Sequence, residues 1–380
     1  MPADTAGSPA TPEAPIPLVD LLVQHAQIAD EVTSGFEQVI SKSAFVNGED
    51  VASFEDEFAA FSGVDHCVGV ANGTDAMELA LRAAGIGRGD EVIVPANTFV
   101  ATAEAAVRAG ATVRFVDCDE RCQLIDVHQV AAAISPRTRA VVGVDLFGQI
   151  PLMDELASVT DAAGVLLLED AAQAHGASRH GRSAGSFGVA AATSFYPGKN
   201  LGSYGDAGAV LTGSPAIARA VRALRNHGGS GSYQHATLGF NSRLDSLQAV
   251  VLRAKLRRLR SWNDERARAA DRYENLLGDL AGVTPPKTLA GNVHVWHLYV
   301  VRVANRDVVL KRLRAAGIGA GVHYPVPVHL QPAFLASGPG PGGLPVAERA
   351  AVEILSLPMF PGITTSQQER VVEALAKALV

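Results

Sequence analysis

The chain has 380 residues, enough for one large and one smaller domain, each with its own core. Hydrophobic residues make up 48% and charged residues 19%, ordinary globular usage that excludes a disordered chain or a charged scaffold. A formal net charge of −7 supplies no overall basic field for phosphate backbones, which argues against nucleic-acid binding.

The opening MPADTAGSPATPEAPIP lacks both a basic start and an apolar core, so residues 1–16 are expected to form a flexible tail and not a signal peptide. No apolar run reaches membrane-spanning length, and no membrane partner is expected. Cys67, Cys118 and Cys122 leave an odd thiol and cannot frame a small secreted domain, which points to a reducing cytoplasm. Cys118 and Cys122 have no second Cys or His pair at ligand spacing, so they are expected to be core or edge thiols and no metal site is expected.

From about residue 67, short β-branched runs alternate with longer helical patterns. CVGV, EVIVP, TVRFVD, AVVGVD, VLLLED, ATSFY and GAVLTG are seven strand candidates. Between most of them lie helical stretches such as TDAMELALRAAG, each closed by a glycine suited to a left-handed cap. This rhythm predicts an α/β fold with a mainly parallel seven-stranded sheet in a large domain spanning 17–255. The last two candidates are joined by a loop, which leaves room for an antiparallel strand. After residue 243 a long basic helical stretch follows, with a bend expected near Trp262-Asn263. HVWHLYVVRV then reads as a strand, 306–316 as a helix, GVHYPVPVH as an extended segment and TSQQERVVEALAKAL as a final amphipathic helix. Together these predict a smaller α+β domain over 256–380, with a mobile Pro/Gly loop at 336–345.

Three features carry chemistry. In VANGTDAMELAL a strand runs through Asn72-Gly73 into a helix, where free N–H groups and the helix dipole can meet an anion; an ordinary turn capped by Asn72 or Thr74 is the plainer reading. LLLEDAAQAHGA ends an apolar strand with Glu169 and Asp170 at the carboxyl edge, where open α/β sheets place ligands. A buried acid there requires a cation or several donors, while an Asp that merely caps a helix is the alternative. Gln173 and His175 follow closely enough to line the same pocket. Lys199, in SFYPGKNLG, also lies just past a strand end; a lone lysine is most often a solvated charge. Taken together, an anion seat, an acid and a lysine on one sheet edge are the parts that pyridoxal phosphate needs. GIGRGD at 85–90 is a turn, since it follows a helix and precedes a strand, the reverse of a dinucleotide fingerprint.

With ANGTDAMELAL, GDEVIVPANTFVAT, LFGQ, EDAAQAHGA, SFYPGKNLGSYGDAGA, NHGG and GFNSRLDSLQA in order, the chain resembles the DegT/DnrJ/EryC1/StrS family of pyridoxal-phosphate-dependent nucleotide-sugar aminotransferases, which have the aspartate-aminotransferase fold, fold type I. The resemblance covers nearly the whole chain. It implies that Lys199 is the Schiff-base lysine and Asp170 the acid facing the pyridinium nitrogen. Gln173 would lie near the ring hydroxyl, Gly73, Thr74 and Ser194 at the phosphate, and Phe99 against the ring. Asn241 matches a residue given to the cofactor phosphate by the neighbouring subunit of a homodimer. Arg243 would make an intersubunit or substrate contact, or a structural ion pair. Some relatives with histidine in place of the lysine are dehydratases, so Lys199 favours transamination.

The implied cycle is ping-pong: L-glutamate leaves its amino group as pyridoxamine phosphate, which then passes it to a keto sugar. His323, Tyr324 and His329 are the substrate-contact candidates, with packing roles as the alternative. The form of the lysine loop favours the 3-keto carbon of a dTDP-6-deoxyhexose, in amino-sugar biosynthesis for a secondary metabolite such as an antibiotic. Amination at the 4-keto carbon, or of a non-sugar ketone such as an inosose, stays open. A regulator built on the same fold would carry a helix-turn-helix or basic segment, and neither is seen.

Overall fold

The computed structural model describes residues 14–229, 233–278 and 280–380. The seven strand candidates all form, in one sheet. Its order is His66–Val70, Gly208–Thr212, Ala190–Ser194, Leu166–Asp170, Thr138–Val144, Glu91–Pro95, Thr112–Val116. Gly208–Thr212 is antiparallel to both neighbours, and every other pairing beyond it is parallel. The central strands are buried along most of their length, which is why they read as nearly unbroken apolar runs.

Register brings the chemistry to one edge. Val144 lies opposite Asp170, Asp170 opposite Ala192, and Ser194 opposite Gly208, which in turn pairs with Val70. The residues following Val70, Val144, Asp170 and Ser194 therefore leave the sheet side by side.

The smaller unit is an antiparallel sheet of Val283–Thr284, Tyr299–Val303 and Ile354–Leu357, packed with helices Arg306–Ala315 and Thr365–Leu379. Thr364 and Gln367 form a reciprocal capping box at the last helix, a device that contributes about 1 kcal/mol. Residues 1–13 of the expected tail lie outside the described residues. Ile16, near its end, is buried in this smaller core; its N–H donates to Gly317 O at 2.9 Å and its carbonyl accepts from Gly319 N at 2.7 Å.

Several expectations need correction. The bend predicted at Trp262-Asn263 falls at Arg257-Arg258, between helices Ser246–Leu256 and Leu259–Leu277. Trp262 is buried within the second helix, and its Nε1 donates to Gln27 Oε1 at 3.0 Å. Of HVWHLYVVRV only Tyr299–Val303 is strand, because Trp296 takes a left-handed conformation (φ 50°). The GVHYPVPVH segment ends in a 3₁₀ turn, Val328–Leu330. Helix Pro345–Glu353 and strand Ile354–Leu357 had no counterpart in the sequence reading. The Pro/Gly loop is tied down at its end: Leu344 is buried, and Glu348 accepts from Gly342 N and Leu344 N.

All three cysteines are free and buried. Among the described residues no group of side chains could hold a metal ion, and no helix is long and apolar enough to cross a membrane.

Candidate active site

Helix Gly73–Ala83 begins at the sheet edge. Asn72 is its N-cap, with Oδ1 accepting from Asp75 N at 2.8 Å, and Ala76 N returns to Asn72 O. The N–H groups of Gly73 and Thr74 have no acceptor among the described residues, so the cap and the anion seat coexist. A Cβ on Gly73 would stand 2.5 Å from Ser194 Cβ. Glycine is thus what lets Ser194 and the two free amides share one small space.

Asp170 closes the strand Leu166–Asp170. Thr102 Oγ1 donates to its Oδ2 at 2.7 Å and Ala172 N to its Oδ1 at 3.2 Å; Thr98 Oγ1 pairs with Thr102 Oγ1 at 2.8 Å. Burial pushes the Asp170 carboxyl above its usual range, against the pull of these bonds and of Lys199. No ion pair reaches it among the described residues, so it is an acid that a bound cation would stabilise.

Lys199 follows the Tyr196-Pro197-Gly198 turn, its N–H bonded to Tyr196 O at 2.8 Å. Its side chain keeps some exposed surface, but the amine is surrounded closely enough that burial lowers its pKa to about 8, with Asp170 pulling upward. No side-chain hydrogen bond or ion pair to its Nζ exists among the described residues. Its charge is felt at Asp170 and at three histidines that burial holds neutral: His175 at about 3, His323 at about 4, and His297 well below its usual value. A lysine in these surroundings is neutral for a large share of the time near pH 8, and a neutral amine is a nucleophile.

A polar chain lies beside it. Gln173 Oε1 accepts from Phe147 N at 2.7 Å and Gln173 Nε2 donates to Tyr324 OH at 3.1 Å. The Tyr324 ring lies 5.2 Å from that of Phe99, which is about half exposed at the start of the helix that also carries Thr102. His323 Nδ1 is 2.8 Å from Ser356 Oγ. The fold therefore gathers Gly73, Thr74, Phe99, Asp170, Gln173, Ser194, Lys199, His323 and Tyr324 along one edge.

Three candidates lie elsewhere. His329 is fully buried, its ring 6.2 Å from Phe115 and its Nε2 3.2 Å from Glu348 Oε1. A side chain with no solvent access cannot meet a diffusing substrate, so the assignment of His329 as a substrate contact is corrected to a tether for the Pro/Gly loop. Asn241 is exposed and bridged to Asn226, whose Oδ1 accepts from Arg243 Nη1 at 3.0 Å. Arg243 lines an open groove of about 970 Å³ with Tyr233, His235 and Leu238; in a single chain neither Asn241 nor Arg243 is bonded to the lysine edge.

The sequence reading missed Thr102, Asn200 and His297. Asn200 Nδ2 donates to Asn263 Oδ1 and to Val295 O, both at 2.9 Å, leaving its Oδ1 for His297 Nδ1 at 3.2 Å. Thr102 could have been found from its place one turn after Phe99. His297 gave no such signal, because a connector between the two sheets brings it to Lys199.

The donor set suits one group well. A glycine cradle with two unsatisfied amides can take a phosphate, an uncompensated carboxylate can face a protonated ring nitrogen, and an unpartnered amine of lowered pKa can add to an aldehyde. With the seven-stranded sheet, this defines the class: fold type I enzymes that depend on pyridoxal phosphate.

Comparison with known proteins narrows it. Residues 26–376 match the DegT/DnrJ/EryC1/StrS aminotransferase family, and the chain belongs to that family. It is 45% identical to the dTDP-3-amino-3,4,6-trideoxy-alpha-D-glucose transaminase of Streptomyces venezuelae over 95% of both chains. It is 43% identical to a Geobacillus stearothermophilus protein called a pleiotropic regulatory protein, over 95% of this chain and 98% of the other. The crystal structure of S. venezuelae DesV in complex with a ketimine intermediate superposes with a TM-score of 0.94 at 44% identity, covering 96% of this chain and 98% of DesV. The protein is thus an aminotransferase of the sugar-aminating kind, and pyridoxal phosphate is its cofactor.

Proposed function

We propose that the enzyme transfers the amino group of L-glutamate to C3 of a dTDP-3-keto-6-deoxyhexose, as a step in amino-sugar biosynthesis for a secondary metabolite. The observation that carries the reading is Lys199: an amine without a partner, pKa lowered to about 8, within electrostatic reach of Asp170. The 3-keto preference is supported by the name of the 45%-identical relative, a 3-amino-sugar transaminase, together with the form of the lysine loop.

When bound, pyridoxal phosphate supplies the carbonyl that takes up the amino group and the conjugated ring that accepts electrons from the bond broken at the substrate carbon. Gly73 and Thr74 N–H and Ser194 Oγ would receive the phosphate, and the half-exposed Phe99 would lie against the ring. Asp170, ordered by Thr102 and Ala172 N–H, would hold the proton on the ring nitrogen. Gln173, held between Phe147 N–H and Tyr324 OH, would lie near the ring hydroxyl. Lys199, as general base and then general acid, would move a proton between the reacting substrate carbon and the cofactor carbon in each half of the cycle. Asn241 of a second copy completes the phosphate seat, so the working unit is a homodimer, and Arg243 contacts substrate or partner. His323 and Tyr324 border the sugar. The large unit spans 17–255 and the small one 256–380, and the protein works in the cytoplasm.

The regulatory name of the other relative does not displace this reading, because an unpartnered lysine facing an uncompensated acid is a poor choice for stability alone. The test offers L-glutamate with dTDP-3-keto-6-deoxy or dTDP-4-keto-6-deoxy sugars side by side and detects the amine by mass. The 3-keto sugar is expected to be aminated with kcat/KM at least about tenfold higher. Preference for the 4-keto sugar, or no amine from either, overturns the substrate assignment.

A further inference from the structure

Behind the cofactor edge lies a second acid that neither the sequence reading nor the proposed mechanism uses. Asp145 follows the strand Thr138–Val144 and bonds the neighbouring strand end through its backbone, N–H to Asp170 O at 3.0 Å. Its side chain is completely buried, and neither carboxyl oxygen has a conventional donor. It stands at the N-cap of the turn Leu146–Gly148 yet its side chain makes no capping bond, and amides of that turn are taken, Phe147 N–H by Gln173 Oε1 and Gly148 N–H by the Asp145 carbonyl.

What it faces is another carboxyl. Glu169, also fully buried, accepts from Gly185 N and Phe187 N, one on each oxygen, both at 2.9 Å, and lies within hydrogen-bonding reach of Asp145. The titratable groups that act on Asp145 are Glu169 and Asp170, both acids, and among the described residues no cation acts on Asp145 itself, although Arg182 draws on Glu169 and Lys199 on Asp170. Three ionised carboxylates in one dry corner would repel strongly, and the one without donors is the one to keep its proton.

We propose that Asp145 is a permanently protonated carboxylic acid whose proton is donated to the Glu169 carboxylate, and that this singly charged pair positions Asp170 and leaves it the acid free to serve the cofactor. The same corner carries a second consequence. Two residues on, Phe147 sits in a left-handed conformation (φ 63°) and its N–H holds Gln173, which holds Tyr324. Asp145 is therefore the root from which both Asp170 and Gln173 are aimed. The positioning role rests on the reading of Asp170 as the cofactor acid; the protonation state does not.

Infrared difference spectroscopy on the cofactor-free protein tests the protonation directly. At pH 8 the wild type is expected to show the carbonyl stretch of a protonated carboxyl that shifts on ¹³C-aspartate labelling, persists in Asp170→Asn and is lost in Asp145→Asn. If Asp145→Asn does not fold, the labelled Asp170→Asn protein carries the assignment. Absence of a labelled band at pH 8 in folded protein overturns the proposal. Burial and acid neighbours raise the Asp145 pKa, so the unfolded chain releases this proton as pH rises past the ordinary aspartate range while the native protein retains it. Wild-type stability therefore falls with rising pH on this account, and Asp145→Asn is expected to melt increasingly above wild type between pH 4 and pH 8. A gap that does not widen overturns it.

For the positioning role, Asp145→Asn can still donate to Glu169 and should keep the pH titration of the bound cofactor's visible band. Asp145→Leu, of similar size but without a donor, should shift that titration and weaken cofactor binding at least about tenfold. Equal behaviour of the two variants refutes the positioning role while leaving the infrared result to stand alone.

Discussion

Gly73→Ala adds a single methyl at the point where the helix start meets the sheet. Gly73 is not in the left-handed region, so the substitution strains no backbone angle and its effect is steric. The new Cβ would lie 2.5 Å from Ser194 Cβ and 3.1 Å from both Ser194 Cα and Oγ. Ser194 ends a strand paired on both sides and cannot retreat freely. Overpacking of this kind costs about 1–3 kcal/mol, which for a unit of this size lowers Tm by about 2–4 °C per kcal/mol. The displaced groups are also the proposed phosphate donors, so cofactor Kd should rise at least about tenfold, equivalent to about 1.4 kcal/mol. Calorimetry of the cofactor-free protein and a fluorescence titration with pyridoxal phosphate measure the two effects separately. Gly87→Ala is the control: its Cβ would meet only Ala109 O, at 3.8 Å, and both quantities should stay at wild type. A Gly73→Ala protein that melts and binds cofactor like the wild type would refute the crowding of Ser194 and the seat built on it.

Lys199 is depressed from 10.5 to about 8 mainly by burial, so the native state disfavours its charge and the cofactor-free protein loses stability as pH falls from about 10.5 to about 8. At about 1.4 kcal/mol per pH unit this amounts to about 3.5 kcal/mol at most, less where solvent reaches the amine; Lys199→Met should melt above wild type at pH 7, with the gap closing toward pH 10.5, and a gap independent of pH would contradict the depressed pKa. The proposed sharing of the site between two copies predicts complementation: mixing inactive Lys199→Ala with Asn241→Ala subunits should restore up to about a quarter of wild-type activity through heterodimers with one intact site, whereas no recovery after verified subunit exchange would place Asn241 outside the partner's site.

The large sheet was legible because strands buried on both faces are written as unbroken apolar runs, and the loop between ATSFY and GAVLTG left room for the antiparallel strand that Gly208–Thr212 forms. Lys199, Asp170 and Gly73 were legible for a related reason: each directly follows or ends such a strand, so strand order alone brings them to one edge. What the sequence hid depends on tertiary contacts. The break at Arg257-Arg258 is set by how two helices pack, and Trp262 looked like a bend only because nothing local announces its bond to Gln27. His329 and His323 stand in one segment six residues apart, yet the first turns into the protein toward Glu348 while the second stays beside Lys199. Asp145 is the sharpest case. As the last letter of AVVGVD it resembled an ordinary strand-end acid, and only the completed fold shows that it has no donor and faces Glu169.

Lys199 is the amine proposed to hold pyridoxal phosphate, and its loss is the most direct perturbation of the site. Purified protein given the cofactor should show a visible absorption band that L-glutamate bleaches, and Lys199→Ala, folded by circular dichroism, should lack that band and all amino transfer. A Lys199→Ala protein with an unchanged band, or a wild-type band that no amino donor bleaches, would contradict it.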